Sequence, residues 1–176
     1  MTGQGDNSGR GEAPRPVLSV QGLTIQVATP SGAKTVVEDL SFDLRPGETL
    51  CLAGESGSGK SMTALAIMGL LPQPMARVSS GSIRLADGTE LAGRSEAAFR
   101  DIRANRISMI FQEPMTSLNP VMTIGRQLTE VLLEHGACSR AEAPARALEL
   151  LRDVRITEAE RRLKQYPHEL SGGMRQ

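Results

Sequence analysis

Aromatic side chains are almost missing: no Trp, a single Tyr (Tyr166) and three Phe in 176 residues, so few rings can stack on a flat ligand. Cysteine is as sparse. Cys51 and Cys138 stand far apart, one in an apolar run and one in a polar turn, which argues for reduced cysteines rather than a disulfide or metal pair. No charge of one sign dominates. Twenty basic and 20 acidic residues cancel, so nothing draws the chain toward nucleic acid or an anionic membrane by charge alone. Lysine is scarce, with Lys34, Lys60 and Lys164 against 17 Arg. No apolar run approaches the roughly 20 residues a bilayer span needs. Residues 1–16, Gly-rich and polar, lack the hydrophobic segment of a secretory signal and read as a disordered leader. What remains is a chain long enough for one domain with a substantial core, expected to be cytosolic in itself and to meet a membrane only through a partner.

What the sequence does have is a glycine loop. Gly54-Glu55-Ser56-Gly57-Ser58-Gly59-Lys60-Ser61 reads G-x-x-x-x-G-K-S, and its residue types follow from what a triphosphate requires. Glycines let successive backbone N–H groups turn toward one anion, and the helix that follows adds its positive dipole end. Lys60 would sit on the β- and γ-phosphates and the Ser61 hydroxyl on Mg²⁺. The flanks agree: Thr49 to Ala53 is an apolar run of strand length, and Met62 to Leu71 has helical composition and ends at Pro72.

Along the chain, Val17 to Val27 reads as an edge strand with one wet face, and Thr29-Pro30-Ser31-Gly32 as a turn. Thr35 to Leu44 gives a second strand. Beyond the first helix, Ser82 to Leu85 reads as a short strand closed by Asp87-Gly88, and Ser95 caps a modest helix to Arg103. Arg106 to Phe111 is a nearly continuous apolar run, assigned as a buried parallel strand, followed by the irregular loop Gln112 to Pro120. Helices are expected over Thr123–His135, with Ile124, Leu128, Val131 and Leu132 as its apolar stripe, over Arg140–Val154 with Pro144 in the first turn, and over Glu158–Gln165. The change from strands and helices to helices alone places a subdomain boundary near residue 120. The organisation expected is a leader (1–16), a nucleotide-binding core with an antiparallel β subdomain (17–120) and a helical subdomain (121–176).

Leu170-Ser171-Gly172-Gly173-Met174-Arg175-Gln176 has the chemistry of a second anion site, a Ser hydroxyl and Gly N–H groups at what would be a helix N-terminus. Taken with the glycine loop and with Gln112 at the end of an apolar run, it resembles the nucleotide-binding subunit of an ATP-binding cassette (ABC) transporter. GESGSGKS looks like its Walker A loop, Gln112 like its Q-loop glutamine and LSGGMRQ like its signature motif. More narrowly, FQEPMTSLNP (111–120) and YPHELSGGMRQ (166–176) are similar to the dipeptide, oligopeptide and nickel importer branch. The resemblance covers about Val17 to Gln176.

That resemblance implies an α/β fold of the P-loop NTPase class. It also implies that residues 54–61 bind ATP and Mg²⁺, and that Gln112 reaches the Mg²⁺ or the attacking water as a catalytic and metal-site residue. The loop at Met115 to Pro120 would lie near the coupling helix of a transmembrane permease subunit. Ser171, Gly172, Gly173 and Gln176 would contact ATP held by a second ATP-binding subunit, in a homo- or heterodimer. The place of work would be the cytoplasmic face of the inner membrane, peripheral and without nucleic acid. Two departures stand out. Val27 occupies the position where the family usually stacks an aromatic on adenine, and the Walker B Asp and its neighbouring Glu are expected downstream of Gln176, so the chain reads as an N-terminal fragment that cannot turn over ATP alone. A non-hydrolysing regulatory remnant and a non-transport ABC ATPase are the alternatives. Glu113 reads as a solvated loop carboxylate, and His135 and His168 as surface or structural residues.

Overall fold

Alternating apolar residues in the first half of the chain build a sheet, and the periodic stretches of the second half build helices. The computed structural model describes residues 15–103, 105–112, 117–136 and 138–176. Residues 1–14 of the expected leader and Glu113 to Thr116 of the loop after Gln112 lie outside the described residues. The chain divides into two units, Met1–Arg103 and Ala104–Gln176.

In the first unit, β1 (Leu18–Thr29), β2 (Gly32–Leu44) and β3 (Ala76–Leu85) form an antiparallel sheet in the order β2-β1-β3. The β1–β2 hairpin closes at Thr29↔Gly32, where the Thr29 hydroxyl donates to Gly32 O at 2.6 Å. The turn thus falls where the Thr-Pro-Ser-Gly chemistry places it. β1 is not an edge strand. Val20, Ile25 and Val27 pair with Phe42, Val37 and Lys34 on one side, and with Ile83, Val78 and Ala76 on the other. Its second neighbour is β3, which begins six residues earlier than the Ser82–Leu85 stretch because Ala76, Arg77, Val78 and Ser80 also pair. Its polar Arg77, Ser79 and Ser80 are exposed, as an outer strand allows. Val20, Leu23, Ile25, Ile83 and Leu91 are fully buried, joined by Val37, Phe99 and Ile102; each contributes on the order of 2 kcal/mol of transfer free energy.

Helix α1 (Lys60–Ile67) follows the glycine loop, and α2 (Glu96–Arg100) starts at Ser95, whose Oγ accepts from Ala98 N at 3.4 Å. Arg103 ties the two helices together. Its guanidinium donates to Met68 O and Gly69 O at 2.9 and 3.0 Å and to both carboxylate oxygens of Glu96, and it lies 5.0 Å over the Phe99 ring. It therefore satisfies carbonyls that the end of α1 leaves without partners.

Two expected strands are not formed. Neither Thr49 to Ala53 nor Arg106 to Phe111 forms a strand, the second holding only an isolated bridge at Ile107, and Leu50, Leu52, Ile110 and Phe111 are exposed, Ile110 to 92%. A strand exists only where a neighbour's N–H and C=O groups meet its own, and the sheet of the first unit consists of β1, β2 and β3. Apolar composition marked both segments for burial without specifying a ladder partner.

The second unit is helical. α3 (Ile124–Glu134) starts at Thr123, whose Oγ1 accepts from Arg126 N at 3.4 Å. α4 (Ala143–Asp153) carries Pro144 in its first turn, and α5 is Ala159–Arg162. Ala143, Ala147 and Ala159 are buried and small enough to let backbones approach, and Ile124 and Leu170 are buried too. Of the expected α3 stripe, Ile124 is buried and Leu128 and Leu132 half-buried, whereas Val131 is exposed. A 3₁₀ turn, Pro167–Glu169, leads to α6 (Gly172–Arg175).

Candidate functional site

The glycine loop is held in shape by its own backbone and by β2. Ser58 N donates to Glu55 O at 3.2 Å, closing a turn across Ser56 and Gly57. Gly59 is the N-cap of α1 with φ 87° and ψ 0°, a left-handed conformation, and there it lies against β2: a Cβ at this position would stand 2.5 Å from Val37 Cγ2 and 2.7 Å from Val36 O. Only glycine meets both demands. Thr63 returns to the same residue, its N and Oγ1 donating to Gly59 O at 2.9 and 3.1 Å. The loop is therefore fixed to the sheet at one end and to the first turn of α1 at the other.

Lys60 is folded into this loop. Its Nζ donates to Gly54 O at 2.7 Å, Glu55 O at 2.6 Å and Ser58 Oγ at 3.2 Å, which puts one positive charge inside the ring of backbone. Next to it, Ser61 exposes its hydroxyl on the first turn of α1, where the backbone N–H groups of Lys60, Ser61 and Met62 have no intrahelical acceptor. Val36, Gly57, Ser58, Gly59, Lys60, Ser61 and Met62 line a cleft of about 170 Å³. A fixed cation, free N–H groups and a helix dipole facing one cleft make an anion site. A single hydroxyl beside it suits Mg²⁺, which keeps several waters and takes few protein ligands when phosphate oxygens complete its shell. Among the described residues no cluster of His, Cys, Asp and Glu is placed to hold a metal ion.

The residues expected to act together fall into the two units. Gly54 to Ser61 converge in the first. Gln112, exposed, and Ser171, Gly172, Gly173 and Gln176, also exposed, belong to the second. Ser171 is the N-cap of α6, its Oγ accepting from Met174 N at 3.4 Å, while Arg175 Nε donates back to Leu170 O at 3.2 Å. The expected helix start at the signature motif is therefore present. Val27, half-buried, lies opposite Lys34, two residues along β2 from the Val36 that walls the cleft. Sequence reasoning missed Val36 and Val37, since an apolar pair on a strand carries no sign that a loop rests on it. Tyr166 and His168 stack on each other, their ring centres 5.7 Å apart.

The ABC transporter family model matches residues 37–176. The chain belongs to that family. Among curated proteins it is 54% identical over 162 residues to the peptidoglycan transport ATP-binding protein YejF of Agrobacterium fabrum, covering 92% of this chain and 30% of that protein. It is 50% identical over 160 residues to the oligopeptide transport ATP-binding protein OppD of Escherichia coli, covering 91% and 47% respectively. The chain thus spans about half or less of the length of the curated relatives it matches. Among solved structures, the ATP-binding cassette MJ0796, a dimer bound to ADP and Pi, superposes with a TM-score of 0.74 over 90% of this chain and 65% of that one, at 24% identity. That likeness establishes the α/β fold of the ABC ATPases. Membership of the family implies nucleotide binding, and among the described residues no helix is long and apolar enough to cross a membrane.

Proposed function

We propose that this chain is the nucleotide-binding part of an ATPase subunit that drives import of peptides, or of a related solute such as nickel, through an ABC transporter. The observation that carries the reading is Lys60, held by two backbone carbonyls and the Ser58 hydroxyl at the mouth of α1. The names of the relatives, peptide and oligopeptide transport ATP-binding proteins, support the substrate class.

In this reading ATP is bound by Gly54 to Ser61, with Lys60 on the β- and γ-phosphates and the Ser61 hydroxyl on Mg²⁺. Bound there, the metal neutralises charge on the transferring phosphoryl group. Gln112 orients water or metal. Ser171, Gly172, Gly173 and Gln176 face the γ-phosphate of a second ATP-binding subunit, so closure of the pair depends on the phosphate that hydrolysis removes. Transmembrane permease subunits hold the assembly at the cytoplasmic face of the membrane.

Equilibrium binding of a fluorescent ATP analogue to the wild-type protein and to Lys60→Ala tests the phosphate site. Hydrogen bonds from a charged donor are worth about 1.5–3 kcal/mol, so Kd should rise roughly 10- to 150-fold. Equal affinity for the two proteins would refute the assignment.

A further inference from the structure

In the helical unit, stretches well separated in sequence meet at the first turn of α3. Gln127 commits its whole side-chain amide there. Oε1 accepts from Asn119 N at 2.9 Å, and Nε2 donates to Asn119 O at 3.0 Å and to Met122 O at 2.9 Å. A primary amide has two N–H donors, and both are used. Asn119 folds its own stretch around this contact, with Val121 N donating to its Oδ1 at 3.1 Å and Met122 N to its O at 3.3 Å. The 119–122 turn is thereby hung on one side chain of α3.

The same helical turn grips the approach to the signature motif. Ile124 N donates to Gln165 O at 2.9 Å and Gly125 N to Leu163 O at 2.8 Å, so two N–H groups that a helix start leaves without partners are satisfied by backbone. The approach is close: a Cβ on Gly125 would stand 2.8 Å from Leu163 O. From Gln165 to Ser171 the chain has little slack. Tyr166 N donates to Glu169 Oε2 at 2.7 Å and Glu169 N to Tyr166 O at 3.0 Å, Pro167 and Leu170 are buried, and Arg175 holds Leu170 O.

We infer that the first turn of α3 is a mechanical joint through which displacement of the 119–122 turn reaches Ser171, with Gln127 as the positioning residue on one side and the Gly125–Leu163 contact on the other. The inference rests on the proposed function, in which the loop ending at Pro120 lies near the membrane partner and Ser171 faces nucleotide. It adds the residues that connect them. In that reading Gln127 is given no contact with nucleotide or partner and acts only by holding two segments in one frame.

The test uses Gln127→Leu, close in volume but without the amide. Hydrogen exchange is followed at Asn119, whose N–H loses its acceptor directly, and at Ile124 and Gly125, which report the far side of the joint. Exchange at all three should rise about fivefold or more if the turn is one cooperative unit. Acceleration confined to Asn119 overturns the inference. In the protein assembled with its membrane subunits, Gln127→Leu should leave the Kd for ATP and the basal hydrolysis rate unchanged, while stimulation by transported solute falls by about fivefold or more, the low end of a coupling between sites. Gly125→Ala, which attacks the joint from the other side, should give the same split. A stimulated wild type with an equally stimulated Gln127→Leu variant overturns the joint alone. A wild-type assembly that shows no stimulation overturns the proposed function, and the joint's role with it.

Discussion

Gly59→Ala puts a single methyl group where the glycine loop rests on the sheet, and its cost can be worked from the geometry. The residue sits at φ 87°, where a side chain costs about 1–2 kcal/mol. The new Cβ would also stand 2.5 Å from Val37 Cγ2 and 2.7 Å from Val36 O. Val37 is buried and paired with Ile25, so the loop, rather than the strand, has to move. Overpacking of this kind adds about 1–3 kcal/mol. The sum is on the order of 3 kcal/mol, which for a unit of this size lowers the melting temperature by roughly 10–20 °C. Gly57→Ala is the control, because Gly57 has φ 82° but nothing within 4 Å of its added Cβ. It carries the backbone strain without the wall. Thermal melts followed by circular dichroism compare the two without reference to any ligand. Equal melting temperatures for the two variants, or a Gly59→Ala protein that melts with the wild type, would show that the loop does not bear on β2.

Arg103→Ala should lower the urea midpoint of the first unit by the equivalent of about 2 kcal/mol, since the partly buried carbonyls of Met68 and Gly69 lose a charged donor; Arg103→Lys, which cannot span both carbonyls and Glu96 with a fork, should fall between. Acid should destabilise both units in the same window. The Glu96 carboxyl is held below its ordinary range by the hydrogen bonds it accepts from Arg103, and that of Glu142 by its hydrogen bonds from Ser139. A depressed folded value contributes stability that is present above the ordinary carboxylate range and lost as pH falls through the lowered value. Melting temperature should therefore hold from neutrality to about pH 5 and decline below it, and Glu142→Gln should reduce the decline of the helical unit; an unchanged acid profile in that variant would remove Glu142 from the account.

What was legible in the sequence follows from how local each signal is. The glycine loop, the Thr-Pro-Ser-Gly turn and the caps at Ser95 and Thr123 are written in residues that touch their own neighbours, and all form where expected. Strand order is not local. The alternation of Val17 to Val27 reports which face is wet but not how many strands flank it, so the stretch reads as an edge strand although β1 occupies the centre of its sheet. Thr49 to Ala53 and Arg106 to Phe111 announce burial through composition, yet the hydrogen bonds of a strand come from elsewhere in the chain, and their partners cannot be read from these residues. Gln127 was invisible for a related reason. A Gln beside an apolar stripe reads as solvated surface until the carbonyls of Asn119 and Met122 are seen against it.

The hydroxyl of Ser171 accepts one hydrogen bond as the cap of α6 and still carries a proton of its own. A cap needs only an acceptor, so fold alone would tolerate Asp or Asn there nearly as well as Ser or Thr. A residue that must also face a phosphate has to donate, which rejects Asp outright because its charge repels the anion. Under the proposed function the two demands leave a narrow overlap, and a library randomised at this one position would separate them. Variants that fold should include Asp, and variants that fold and work should be the hydroxyl residues, with Asn divided between the two classes.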